Sequence, residues 1–124
     1  LGHITTFGGH PVCCAAGLAA LEFILSEGLM EQADAKGAQY ERRLVGHPAV
    51  REIRRTGLLM GVEFGDPALT QRIVLRAVER GLMTEWFLFR DTAMRIAPPL
   101  TITPAEIDES CDILLDVLRE VTGS

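Results

Sequence analysis

Apolar positions recur along the chain with two periods, one helical and one of alternation. From Pro11 the pattern is helical, with proline at the favoured first position, an alanine-rich body and Gly28 just past the end. Only Glu22 is charged across positions 12–25, so this first helix is apolar nearly all round. Such a helix has to be covered on most sides, either by a core or by a partner outside the chain. A second helix carries Met30, Ala33, Gly37, Tyr40 and Leu44 at alternating spacings of three and four, which predicts one buried stripe, a solvated opposite face and an end at Gly46.

Strands are predicted over 50–56 and 58–64. In the second, Leu58, Met60, Val62 and Phe64 alternate onto one face, and Gly61 leaves a gap on the other. Asp66 and Pro67 begin a third helix with Ile73, Val74, Ala77 and Val78 on its buried face and Gly81 closing it after Arg80. Residues 82–84 and 94–97 are short strand candidates. Between them lie the aromatic cluster Trp86-Phe87-Leu88-Phe89, expected in the core or at an interface, and a turn-like Arg90-Asp91-Thr92. Thr103-Pro104-Ala105-Glu106 is a capping box, after which Ile107, Cys111, Leu114, Leu118 and Val121 line one helix face. The order α-α-β-β-α-β-β-α predicts a two-layer α/β (α+β) domain. Its sheet has three to four strands, antiparallel or mixed, covered on one face by helices.

Composition narrows the classes. The 124 residues, 48% of them hydrophobic, suffice for one core without a disulfide or metal staple. A net charge of −5 argues against nucleic acid or an anionic membrane as partner, since either needs a basic stripe. The apolar run 12–25 is shorter than the ~20 residues that span a bilayer, and no signal-peptide pattern precedes it. Cys13, Cys14 and Cys111 are an odd set with no repeating spacing, which suits reduced thiols; a cytoplasmic protein is expected. His3, His10, Cys13 and Cys14 lie close in sequence, but adjacent cysteines do not readily share an ion and no second pair has zinc-site spacing. No metal is expected. Lys36 is the only lysine, and its setting, Asp34-Ala35-Lys36-Gly37, is that of a solvated side chain.

Three motifs in order carry a family resemblance. His3-Ile4-Thr5-Thr6-Phe7-Gly8-Gly9-His10-Pro11 ahead of an alanine-rich helix resembles a stretch of the class-III aminotransferases, which depend on pyridoxal 5′-phosphate. Arg54-Arg55-Thr56-Gly57-Leu58-Leu59-Met60-Gly61-Val62-Glu63 is similar to a second family segment, and Met94-Arg95-Ile96-Ala97-Pro98-Pro99-Leu100 to a third. The resemblance implies the carboxy-terminal part of a longer fold-type-I enzyme. Residues 1–28 would be the end of the large domain and the connecting helix, and 29–124 the small domain. The start at Leu1, without methionine, agrees with that expectation. The intact enzyme would be a homodimer that moves an amino group from an amine or amino acid to an oxo acid. Its Schiff-base lysine would lie upstream, so the resemblance places no catalytic residue in this segment and implies that the segment alone is inactive.

The same resemblance gives Thr6, flanked by Thr5 and Phe7, the role of holding the cofactor phosphate of the neighbouring subunit. A small hydroxyl among glycines at a helix start suits an anion, although the same residues suit a plain glycine-rich turn. Arg95 would take a substrate carboxylate, which a planar guanidinium meets with two parallel hydrogen bonds. Because Met94 and Ile96 are apolar and alternate with it, Arg95 faces away from what they bury, toward solvent or a cleft. His10 stands where the family has asparagine and is expected to cap its helix less well; Arg55 stands where glycine is usual and marks a local backbone difference. The rival reading is a free-standing α/β module that binds an anion or dimerises without chemistry.

Overall fold

The computed structural model describes residues 5–123. Among the described residues there are four helices and four strands: α1 (Pro11–Ser26), α2 (Leu29–Leu44), β1 (Glu52–Thr56), β2 (Leu59–Glu63), α3 (Pro67–Glu79), β3 (Glu85–Phe87), β4 (Arg90–Ile96) and α4 (Pro104–Thr122). The chain divides into two compact units, Leu1–Gln32 and Ala33–Ser124, with α2 running across the division.

In the first unit a turn over 6–9 leads into α1. His10 caps the helix: its Nδ1 accepts the Val12 N–H at 3.3 Å, longer than the 2.8 Å of the Asp66 cap on α3. The ring nitrogen reaches the second helical N–H as an asparagine oxygen would. None of the sixteen α1 residues is buried.

The second unit is the predicted two-layer domain. Its sheet runs β1-β2-β4-β3 with every pairing antiparallel. Paired positions share a face, so Val62 and Met94 lie opposite each other and with Met60 and Phe64 form the sheet's contribution to the core. Tyr40 and Leu44 of α2, Ile73, Val74 and Ala77 of α3, and Ile107, Cys111, Leu114, Val117 and Leu118 of α4 complete it. Burial pushes the Cys111 thiol up to about 12, against the opposing pull of Arg43, so it packs as a small hydrophobe.

The predicted stripes are the buried ones, with single positions changed. In α2, Leu29 is buried and Met30 exposed; in α3, Thr70 takes the inward position and Val78 is exposed; in α4, Val117 joins the buried face. Thr70 is tolerated inside because its hydroxyl donates to the Asp66 carbonyl at 2.8 Å. Larger corrections fall between α3 and α4. Residues 82–84 are not a strand, while Arg90-Asp91-Thr92, read as a turn, belong to β4. The reversal is at Leu88-Phe89, which lack the glycine or asparagine that marks two-residue hairpins. The aromatic cluster is not in the core: Phe89 is 96% exposed and Leu88 83%. Only the Phe87 ring is sheltered, lying over Gly61, where a Cβ would come within 3.2 Å of it. That ring fills the gap that glycine leaves.

Candidate functional site

Arg95 sits near the end of β4, paired with Gly61 on one side and Glu85 on the other. Met94 beside it is fully buried. Alternation therefore turns Arg95 onto the open face of the sheet, as the sequence predicts, with its side chain 44% exposed. Its guanidinium is ion-paired with the Glu85 carboxylate, and its carbonyl accepts the Thr84 hydroxyl at 2.6 Å. A cleft of about 90 Å³ opens beside it, walled by Tyr40, Leu82, Met94, Pro98 and Leu114 among others. The floor is apolar, with one polar chain: the Tyr40 hydroxyl lies 2.8 Å from Ser110 Oγ, which in turn bonds the Ile107 carbonyl at 2.8 Å. Burial raises the Tyr40 phenol above its ordinary value, Ser110 acting in the opposite sense, so it stays protonated.

Lys36 is not the solvated residue its setting suggests. It is half-buried on α2, and its Nζ donates to the Leu100 carbonyl at 2.7 Å. Arg55 likewise has a partner set: its Nε donates to Glu41 at 2.7 Å and its Nη1 to Asp34 at 2.5 Å, tying β1 to α2.

One charged group was not singled out from the sequence. Glu63, at the end of β2, is 4% exposed. Its Oε2 accepts from Arg54 at 3.1 Å and Arg90 at 2.8 Å, and its Oε1 from the Gly65 N–H at 3.0 Å. Burial works against its charge, but the polar groups around it, Thr92, Arg90, Arg54 and the Gly65 amide, win and hold the carboxyl at about 2. The signal was present as an acidic residue closing an alternating strand. It gains meaning only with Arg90 in the neighbouring strand, where a turn is expected from the sequence.

Thr5, Thr6 and Phe7 lie together, exposed, in the turn before α1. The His10 N–H donates to the Phe7 carbonyl at 3.1 Å, and Gly8 packs so tightly under Thr5 that a Cβ would lie 2.1 Å from Thr5 Oγ1. Among the described residues no partner occupies the Thr6 hydroxyl. A free hydroxyl beside a glycine cradle at a helix N-terminus fits a phosphate group. This turn belongs to the first unit and Arg95 to the second.

Comparison with known proteins agrees with these motifs. The aminotransferase class-III family matches residues 1–118. The acetylornithine aminotransferase of Caldanaerobacter subterraneus subsp. tengcongensis is 41% identical over 123 residues, which are 96% of this chain and 30% of that protein. Among solved structures, a Bacillus anthracis aminotransferase superposes with a TM-score of 0.83 at 30% identity, covering 97% of this chain and 30% of its own. The ornithine aminotransferase of Toxoplasma gondii, described with partial occupancy of PLP at its active site, gives 0.80 at 33% identity, with coverages of 98% and 30%. The chain belongs to the class-III aminotransferases, and it spans about 30% of the length of these relatives.

Proposed function

We propose that this chain is the carboxy-terminal portion of a pyridoxal-phosphate-dependent aminotransferase that passes an amino group from an amine or amino acid to an oxo acid. In this reading residues 1–28 end the large domain and 29–124 form the small domain of a cytoplasmic homodimer. Arg95 carries the reading: the open sheet face holds a guanidinium at the family's Arg-x-x-Pro-Pro-Leu segment, next to a cleft. A substrate carboxylate would exchange with Glu85 for the two-pronged hydrogen bonds that Arg95 offers. Thr6, with its neighbours Thr5 and Phe7, would hold the cofactor phosphate, and the α1 N-terminus would add a favourable dipole. Pyridoxal phosphate, when bound, supplies the electron sink for the transfer. Relatives are named for acetylornithine and ornithine, and those amino acids are the donors to assay first. The segment alone is expected to be inactive, because its one lysine is committed to the Leu100 carbonyl.

The test is kinetic and uses the full-length enzyme. Removing one partner of a buried charged pair costs about 2–5 kcal/mol, so Arg95→Ala should cut kcat/KM for the oxo acid roughly 30-fold to several thousand-fold. Arg95→Lys should recover part of it, since lysine restores charge without the fork. If Arg95→Ala leaves kcat/KM within about threefold, under ~1 kcal/mol, for both donor and oxo acid, Arg95 is a surface residue. A free-standing module would show no transfer with any donor and would form no longer enzyme.

A further inference from the structure

The segment that follows Arg95 is short and stiff. β4 ends at Ile96 and α4 begins at Pro104. Pro98 and Pro99 have no N–H to continue strand pairing, and their rings fix φ, which stiffens the backbone leading into the next turn. Within it the Ile102 N–H closes onto the Pro99 carbonyl at 3.0 Å. The Leu100 carbonyl inside that turn is held from outside, by Lys36 Nζ at 2.7 Å, a charge-assisted bond from a half-buried ammonium. One helical turn on, Gln39 donates to the Pro104 carbonyl at 3.0 Å, and Tyr40 meets Ser110. Three positions of one α2 face, spaced i, i+3 and i+4, therefore grip the path from Arg95 into α4. Arg95, Pro98 and Tyr40 also line the same cleft, so a shift of the segment after Ile96 reaches the end of β4 that carries Arg95.

We propose that Lys36 is a positioning residue for Arg95: by holding the Leu100 carbonyl it fixes the direction in which β4 leaves the sheet, and with it the aim of the Arg95 guanidinium at a substrate carboxylate. The inference rests on the reading that Arg95 receives that carboxylate. Lys36 touches no reacting atom. Its effect should therefore fall on the binding of carboxylate substrates rather than on turnover once they are bound.

The experiment compares Lys36→Met, Lys36→Arg, Arg95→Ala and the double variant Lys36→Met/Arg95→Ala in the full-length, cofactor-loaded enzyme. Lys36→Met should raise KM for the oxo acid about 3- to 30-fold, the scale of coupling between residues of one network, with kcat within about twofold. Lys36→Arg, which can still donate to the carbonyl, should restore most of it. In the Arg95→Ala background the added effect of Lys36→Met should vanish, which a general loss of stability would not produce. As a second readout, Lys36→Met should speed amide exchange at Ile102 in the 124-residue chain. If Arg95→Ala impairs the oxo acid while Lys36→Met leaves KM within twofold, or adds its full effect without Arg95, the positioning role is overturned and the reading of Arg95 stands. If Arg95→Ala itself is silent, that reading falls and takes the inference with it. Should Lys36→Met not yield folded enzyme, Lys36→Gln, which removes the charge and shortens the reach, is scored by the same criteria.

Discussion

At the scale of single residues, the open face of the sheet carries one nearly buried carboxylate between two arginines. Glu63 is nearly buried, and its carboxyl is held at about 2 against an ordinary value of 4.5. A depressed folded-state value means the stabilisation is complete above the unfolded value and is lost as pH falls through the folded one. Its contribution should be present at pH 6 and should disappear between about pH 5 and 2. The full shift would correspond to about 3 kcal/mol, but Arg54 and Arg90 are roughly half exposed and water screens their share, so ~1–3 kcal/mol is expected. Urea unfolding at stepped pH should show this slope in the wild type and lose part of it in Glu63→Gln; identical slopes would mean that Glu63 is not the group responsible. Thr6 is tested differently, because its role involves a ligand. Thr6→Ala should weaken cofactor retention in the full-length enzyme by about 1–3 kcal/mol, the range for a hydrogen bond to a charged group. Mixed dimers that carry Thr6→Ala in one subunit show whether the weakened site is the neighbour's, and unchanged retention at both sites removes the phosphate role.

At the scale of elements, what could be read from the sequence is what short-range chemistry dictates. The α4 capping box is present as predicted, with Glu106 accepting the Thr103 N–H at 2.8 Å and Thr103 Oγ1 accepting the Glu106 N–H at 3.2 Å. Asp66 caps α3 through the Leu69 N–H at 2.8 Å, and β2 alternates as its pattern requires. The β3–β4 hairpin was not readable, because its turn uses Leu88-Phe89 and its polar residues face the open side, where Arg90 serves Glu63. Long-range pairing decides that segment, and no local signal encodes it. The α2 contact with the β1–β2 turn is similar: Gly37 sits in the predicted stripe, but only the structure shows the Gly57 carbonyl pressed against it. An added Cβ at Gly37 would lie 2.0 Å from that oxygen. Alanine gains up to about 1 kcal/mol of helix propensity over glycine, whereas overpacking against a backbone atom costs about 1–3 kcal/mol, so the clash should win. Gly37→Ala is expected to lower the urea midpoint with little change in slope, and a stabilised variant would show that α2 stands off from the turn.

At the scale of the whole molecule, the two units differ in how they meet water. The second unit encloses a continuous core. In the first, α1 leaves Val12, Leu18, Leu21, Phe23 and Leu25 each at least half exposed. Single exposed apolar residues are ordinary, but a helix apolar on all sides presents a contiguous patch of the kind that monomers rarely leave open. Covering side chains already half sheltered is worth roughly 1 kcal/mol each, and five on one helix supply enough to drive association. The isolated 124-residue chain should therefore bind an apolar dye and sediment as a concentration-dependent oligomer. Leu18 and Leu25 lie two turns apart on one face of α1, so Leu18→Glu combined with Leu25→Lys should suppress both behaviours. The urea transition of the second unit should stay in place, since neither residue contributes to its core. In the full-length enzyme, if the rest of the large domain supplies the cover α1 needs, dye binding should be absent and the double substitution should instead reduce yield or stability. A wild-type chain that stays monomeric at all concentrations and binds no dye would show that α1 finds cover within this chain, and would favour the free-standing module over the enzyme segment.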